Sequence, residues 1–194
     1  MVNLNTLPTN LPVLYVTFSA EINIKTTESL IAVMTQAANR QVQQVYLAIS
    51  TPGGQVKEGM NLYNVLRGMP FSLVTHNVGS VDSIGNAVFL AGETRYAVPN
   101  ATFLFHGVGF DIKGQIRLEE QDVRDRLDII LSDQKRIGDV ISANSNLNDR
   151  SIASLFRTQQ TKDTSWAVDK GIIHEIRDFQ IPPGSTIISL IFQR

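Results

Sequence analysis

Short apolar runs rich in β-branched residues alternate along the chain with longer segments whose apolar residues recur every three or four positions. Three runs have the composition of strands, at residues 13–18, 45–49 and 72–76. The four-residue spacing of apolar positions after the first run indicates a helix with one buried face, and Thr26 and Thr27 are its expected N-caps. Strands and helices that alternate in this way predict an α/β fold with a mostly parallel sheet.

The pattern changes beyond Gly92. Residues 95–98 and 102–106 predict two strands that form a hairpin around the turn-forming pair Pro99-Asn100. The remaining predicted elements are a long helix over residues 118–143, shorter helices over residues 149–157 and up to Gly171, and a final strand over residues 186–192.

The first half of the long helix is dense in charge. Two pairs of opposite charge lie four residues apart, Glu120 with Arg124 and Asp122 with Arg126. Such pairs modestly stabilise an exposed helix. This half is therefore predicted to be a solvated helix that projects from the body of the fold.

Composition narrows the classes of function. Of the 194 residues, 43% are hydrophobic and 18% charged, and the net charge is −1, so a nucleic-acid partner is not expected. The chain has no cysteine, which excludes disulfides, a thiolate nucleophile and cysteine-ligated metals. The low charged fraction suggests burial against other subunits. No apolar run approaches the ~18 residues of a membrane span, and residues 1–12 lack signal-peptide features, so a cytoplasmic location is expected.

Two turns at the ends of predicted strands have unusual compositions. Thr51-Pro52-Gly53-Gly54 follows the second strand, and its exposed glycine amides could stabilise an oxyanion or bind a phosphate, although an ordinary turn explains it equally simply. Residues 77–83 form the second turn, before an apolar helix over residues 84–91. Ser83 lies there as a nucleophile would, or it caps the helix. Of the three histidines, His106 is the candidate base because it ends a predicted strand.

Taken in order, these landmarks resemble the proteolytic subunit of Clp-type proteases, serine peptidases with a crotonase-like fold. The resemblance covers roughly residues 13–178 and rests on five segments: Thr51-Pro52-Gly53-Gly54, Gly79-Ser80-Val81-Asp82-Ser83-Ile84-Gly85, Ala91-Gly92 with Arg95 and Pro99-Asn100, the strand ending at His106, and the stretch from Trp166 to His174. It implies a repeated β-β-α superhelix with a projecting handle helix. One domain over residues 1–194 is expected, with a head at about 13–112 and 158–194 and a handle at about 115–157.

The resemblance also implies roles for individual residues. Ser83 corresponds to the nucleophile, His106 to the general base, and the backbone amides of Gly54 and Ile84 to the oxyanion hole. The family's catalytic aspartate falls on Gln159, a neutral amide, and Asp163 is the alternative third member four residues on. A second departure is Asp82, where the family has a small apolar residue and where a carboxylate would disfavour an oxyanion unless it turns away.

The leading hypothesis is thus a serine endopeptidase that hydrolyses peptides or unfolded proteins through an acyl-enzyme, inside a chamber formed by rings of this chain. No cofactor or metal is expected, and the chain carries no Walker motif, so an ATP-dependent unfoldase would be a separate partner. Two alternatives remain open. Gln159 and Asp82 motivate a catalytically weakened or inactive ring subunit, and paired oxyanion amides also fit a crotonase-like acyl-CoA enzyme.

Overall fold

A computed structural model describes residues 7–112, 114–115 and 117–192. The first six residues of the segment examined for a signal peptide lie outside these ranges, as do two positions at the start of the predicted handle region. The strands are β1 Val13–Ser19, β2 Gln44–Thr51, β3 Ser72–Asp82, β4 Thr94–Ala97, β5 Thr102–Phe105, β6 Gln160–Lys162, β7 Glu175–Ile176 and β8 Thr186–Leu190. The helices are α1 Ile24–Asn39, α2 Val56–Arg67, α3 Gly85–Phe89, α4 Glu120–Ala143, α5 Asp149–Thr158 and α6 Thr164–Asp169.

Within the described residues, the strands form one 8-stranded sheet with the order β6-β5-β3-β2-β1-β8, and β4 pairs with β3 and β7. Neighbours pair in parallel except β5 and β6, which are antiparallel. The α/β class with a mostly parallel sheet is therefore as predicted. Because the strands are parallel, the carboxyl ends of β2 and β3 lie at the same edge of the sheet.

The predicted hairpin around Pro99-Asn100 is wrong. Strand β4 pairs with residues 74–77 of β3, whereas β5 pairs with residues 80–82 of the same strand. The turn therefore moves the chain farther along β3 and leaves its direction unchanged. The predicted turn over residues 77–83 is also wrong, because β3 continues as a strand through Asp82.

Helix α1 begins earlier than the two threonines suggested. Its N-cap is Asn23, whose side-chain oxygen accepts a hydrogen bond from the Thr26 backbone N–H at 3.1 Å. The Thr26 hydroxyl in turn accepts from the Asn23 N–H at 3.0 Å. Thr26 and Thr27 therefore lie inside the first turn, and Asn23 begins the helix because an asparagine side chain satisfies a free N–H there.

One hydrophobic cluster joins the sheet to the helices. Leu14, Val16 and Phe18 alternate on one face of β1 and are fully buried. The second half of α4 contributes Ile137 and Ile141 to the same cluster. The long helix is thus packed on the body of the fold at one end only.

The first half of α4 is exposed, as predicted. Arg124 and Glu120 form an ion pair at 2.6 Å on its surface. The second predicted pair does not form: Asp122 accepts the Glu119 N–H at the helix start, and the Arg126 guanidinium lies over the Phe110 ring. Among the described residues, no helix is long and apolar enough to span a membrane.

Arg95 connects the ends of three helices. Its buried guanidinium donates to the backbone oxygens of Gly92, Asn144, Gly171 and Ile172 at 2.7–3.1 Å. These carbonyls follow α3, α4 and α6, where helices leave acceptors without partners. Burial of the cation lowers the Arg95 pKa below its ordinary value. The charge is stabilised by carbonyl dipoles at the negative ends of the helices.

Candidate active site

The two unusual turns pack directly against each other. A Cβ added to Gly53 would lie 2.6 Å from the Ser83 Cβ and 2.7 Å from the Asp82 carbonyl oxygen. One added to Gly85 would lie 2.5 Å from a methyl carbon of Thr51. Because a real Cβ does not fit at these distances, glycine at both positions is what allows the approach. The sheet therefore brings Ser83 beside the Gly-Gly turn, which the spacing along the chain could not establish.

Ser83 lies where β3 meets α3 and has φ 57, in the left-handed region that few non-glycine residues adopt. Its backbone N–H donates to Leu104 O at 2.9 Å, and the Asn86 side chain donates to Ser83 O and Leu104 O. Ser83 does not cap the helix, because Ile84 is the N-cap of α3 and no side chain caps it. Among the described residues, the Ser83 hydroxyl has no hydrogen-bond partner.

The backbone N–H groups of Gly54 and Ile84, which are expected to form an oxyanion hole, are available to a ligand. Gly54 has φ 144, and the hydrogen bonds beside it run from Ile22 N to Gly53 O and from Gln55 N to Ile22 O. Within the described part of the chain, neither the Gly54 N–H nor the Ile84 N–H donates to another residue. Two unpaired donors beside a serine hydroxyl are what an acyl-transfer site requires.

His106 follows the last residue of β5 and is half-buried. Its Nδ1 lies 2.8 Å from Gly107 O. A carbonyl oxygen only accepts, so Nδ1 carries the proton and Nε2 has the free lone pair. That is the tautomer a general base needs. No hydrogen bond joins His106 to Ser83 in the described structure, although catalytic contacts are often long in unliganded sites.

Neither expected third member bonds to His106 among the described residues. Gln159 is the C-cap of α5, has φ 48 and is exposed. Asp163 is exposed too, and its carboxylate caps α6 by accepting from Trp166 N at 2.8 Å. Strand register still distinguishes the two. Phe105 pairs with Gln160, so Gln159 and His106 both adjoin that pair, whereas Asp163 adjoins Lys162, which pairs with Phe103 at the far end.

Asp82 lies on the same face of the sheet as Leu104, because registered partners in a parallel pair project on the same side. His106 follows β5 two residues after Leu104. Burial raises the pKa of Asp82 above its ordinary value, while the Leu104 backbone, the Ser80 hydroxyl and the charge of His106 lower it.

The other two histidines have structural contacts. His76 is fully buried between the Tyr46 hydroxyl at 2.7 Å and Arg177 O at 2.9 Å, and burial lowers its pKa. His174 accepts the Arg95 N–H at 2.9 Å. Sequence reasoning missed two further groups at the site: the Gly107 carbonyl, which only the position of the imidazole reveals, and Asn86, whose amide ties the Ser83 turn to β5.

The described residues contain no group of three or more histidine or acidic side chains that could hold a metal ion. The site is instead a serine, a histidine and unpaired amides gathered at one edge of the sheet. These groups could carry out acyl transfer.

The chain is similar to known proteins in sequence and in fold. The model of the Clp protease family matches residues 11–180. ATP-dependent Clp protease proteolytic subunit 1 of Leifsonia xyli is 32% identical over 108 residues, which are 55% of this chain and 53% of that subunit. The proteolytic subunit of Lactococcus lactis is 25% identical over 144 residues, 73% of this chain and 71% of that protein. The chain spans about half the length of the curated relatives that it matches at 30% identity or more.

Among solved structures, an asparagine-to-aspartate mutant of ClpP1 from Listeria monocytogenes has the same fold. The TM-score is 0.77 at 19% identity, covering 86% of this chain and 92% of that one. The crotonase-like architecture expected from the sequence is therefore correct.

Proposed function

Because the chain belongs to the Clp protease family, we propose that it is a serine endopeptidase which hydrolyses peptide bonds through an acyl-enzyme. One observation carries the proposal. The Gly53–Gly54 turn packs against Ser83 so closely that no Cβ fits at Gly53, and the two amides beside the serine have no acceptor among the described residues. Free N–H donors on either side of a serine hydroxyl are available to an oxyanion that forms there.

Ser83 is the nucleophile of the proposed reaction and His106 its general base. The free Nε2 of His106 takes the hydroxyl proton as the oxygen attacks the peptide carbonyl, and the Gly54 and Ile84 amides stabilise the resulting oxyanion. Loss of the amine leaves an acyl group on Ser83, which water removes in a second cycle of the same steps. The third position is assigned to Gln159 or Asp163, and register favours Gln159 as the nearer to His106.

Assembly into rings around a chamber is part of the proposal. Val123, Leu127 and Leu131 lie at intervals of four on α4, and each is 50–54% exposed. Such a stripe on a charged helix favours burial against a second subunit. The peptidase would take unfolded substrates from a separate ATP-dependent unfoldase, and it would work in the cytoplasm.

A fluorophosphonate probe tests the chemistry. The wild-type assembly should be labelled at Ser83, and Ser83→Ala should abolish both labelling and hydrolysis of a fluorogenic peptide. His106→Ala should slow both by at least ~100-fold, because a general base typically contributes ~10²–10⁴-fold. Ser29→Ala, at an exposed serine of α1, is the matched control and should behave as wild type. A wild-type assembly that is never labelled would exclude the peptidase function.

Sedimentation of the same sample tests the assembly. A chain of 21.5 kDa that remains monomeric would contradict the ring.

A further inference from the structure

A triad aspartate performs two tasks for the catalytic histidine. It accepts the Nδ1–H, which fixes the tautomer and orientation of the ring, and its negative charge stabilises the imidazolium that forms in the reaction. In this chain the family's aspartate position holds Gln159, a neutral side chain. An amide oxygen can accept a hydrogen bond but carries no charge, so the second task needs another group if the site is active.

The Gly107 carbonyl already performs the first task, because it accepts the Nδ1–H. The Nδ1 of His106 is 2.8 Å from Gly107 O, the length of a good hydrogen bond. The segment that carries this carbonyl is held in place, since the Gly107 N–H donates to Phe156 O at 2.9 Å at the end of α5. A Cβ on Gly107 would lie 3.2 Å from Gln134 Oε1 of α4, so the loop is packed between two helices.

Asp82 is suited to the second task. It pairs with Leu104, two residues before His106, and one strand across and two residues along a sheet separate two Cα atoms by roughly 8 Å. The carboxylate is half-buried, so its field is screened less than that of a surface charge.

We propose that the two tasks of a triad aspartate are divided in this chain. The Gly107 carbonyl positions the Nδ1–H of His106, and the Asp82 carboxylate supplies the charge that stabilises the imidazolium. Both are positioning groups, since neither touches the reacting atoms. The inference rests on the proposed peptidase function.

In the proposed reaction, His106 carries one proton between Ser83, the leaving amine and water. As Ser83 Oγ bonds to the substrate carbonyl carbon, its proton moves to His106 Nε2, and the imidazolium carries the positive charge opposite Asp82. When the C–N bond breaks, the same proton passes from Nε2 to the leaving amine. A water oxygen then bonds to the acyl carbon as its proton moves to Nε2, and that proton returns to Ser83 Oγ when the ester C–O bond breaks. The Nδ1–H donates to Gly107 O throughout.

The other charged groups around β5 are less suited to this role. Asp163, at the end of β6, is exposed and caps α6. Lys162 pairs with Phe103 and so lies on the opposite face, where its amine is 5.4 Å from the Trp166 ring centre. Asp169, at the far end of α6, pairs with Lys170 at 2.6 Å. Helix α3, which also packs on β5, carries no charged residue.

Activity of the full-length assembly tests the charge of Asp82. Asp82→Asn removes the charge and keeps the size of the side chain. Asp169→Asn removes a carboxylate of the same type at the far end of α6, is the matched control and should behave as wild type.

In Asp82→Asn, kcat/KM for a fluorogenic peptide should fall about threefold to thirtyfold, and the acid limb of its pH profile should move to lower pH. Replacing Val108 by its α-hydroxy acid turns the Gly107 carbonyl into an ester, a weaker acceptor, and should also lower kcat/KM. The same replacement at Gly109 leaves the Gly107 carbonyl an amide and is the matched control.

The results separate this inference from the proposed function. If the wild type reacts with the fluorophosphonate but Asp82→Asn matches Asp169→Asn, or is faster than wild type, the division of tasks is wrong and the peptidase stands. If the wild type is neither labelled nor active, the peptidase fails and the catalytic role of Asp82 fails with it. An acid limb of the pH profile that Asp82→Asn leaves unchanged overturns the electrostatic part.

Discussion

Gly53→Ala should abolish catalysis by displacing the nucleophile. The new Cβ would lie 2.6 Å from the Ser83 Cβ and 2.7 Å from Asp82 O, and neither neighbour is the free end of a flexible chain. Relief of both contacts to an ordinary van der Waals separation requires a shift of roughly 1 Å, and a misplacement of that size costs ~100-fold in rate. We therefore expect kcat/KM to fall by about two orders of magnitude or more.

The same change also strains the backbone, and a second glycine isolates that effect. Gly53 has φ +86 and Gly184 has φ +81, but a Cβ on Gly184 would meet nothing within 4 Å. Gly184→Ala thus carries the left-handed cost of about 1–2 kcal/mol without a collision. The excess destabilisation of Gly53→Ala over this control should be about 1–3 kcal/mol, the usual cost of overpacking.

Peptide hydrolysis and the rate of fluorophosphonate labelling measure the catalytic effect, and urea denaturation measures the two free energies of unfolding. The argument is refuted if Gly53→Ala keeps more than about a tenth of the wild-type kcat/KM, or if it is no less stable than Gly184→Ala. Equal losses of stability would mean that the strand ends separate without cost. The close packing of the two turns would then not be what holds Ser83.

Two further predictions concern the body of the fold. Arg95→Ala leaves two fully buried carbonyls without a donor, each bond being worth about 1.5–3 kcal/mol, so urea denaturation should give a loss of about 3–5 kcal/mol. Arg150→Ala, at an exposed site on α5, should change stability by less than about 0.5 kcal/mol, and similar losses in both variants would contradict the reasoning. The free energy of unfolding should also decrease as the pH falls through 6.5, the ordinary histidine value, because burial lowers the pKa of His76 and the unfolded chain then binds the proton more tightly. Denaturation at several pH values checks this, and a slope that His76→Gln leaves unchanged would count against it.

Local patterns predicted the elements of this fold better than their pairing. The β-branched run at the start of the chain became β1, and the long charged segment became α4, since composition and period suffice for both. The hairpin was wrong because a Pro-Asn turn gives no sign of whether the next strand reverses or continues along the same neighbour. That choice depends on β3, which is long enough to pair with both strands.

The candidate site divides in a similar way. Ser83, His106 and the Gly-Gly turn were recognisable because their residue types and order carry the chemistry. Contacts that depend on a backbone atom were not, and the Gly107 carbonyl is the main example. The sequence also could not predict which face of the sheet Asp82 occupies. That face follows from the register of β3 against β5, and a shift of one residue would reverse it.

The left-handed backbone of Ser83 limits which nucleophiles this site can accept. Threonine offers the same hydroxyl, but its branched Cβ makes it a genuine outlier at φ 57. Serine and cysteine are unbranched, so they have only the cost that any side chain has in this region. Cysteine could therefore replace the serine nucleophile of this fold during evolution without a change of backbone. Threonine could replace it only after the turn at this position had adopted another conformation.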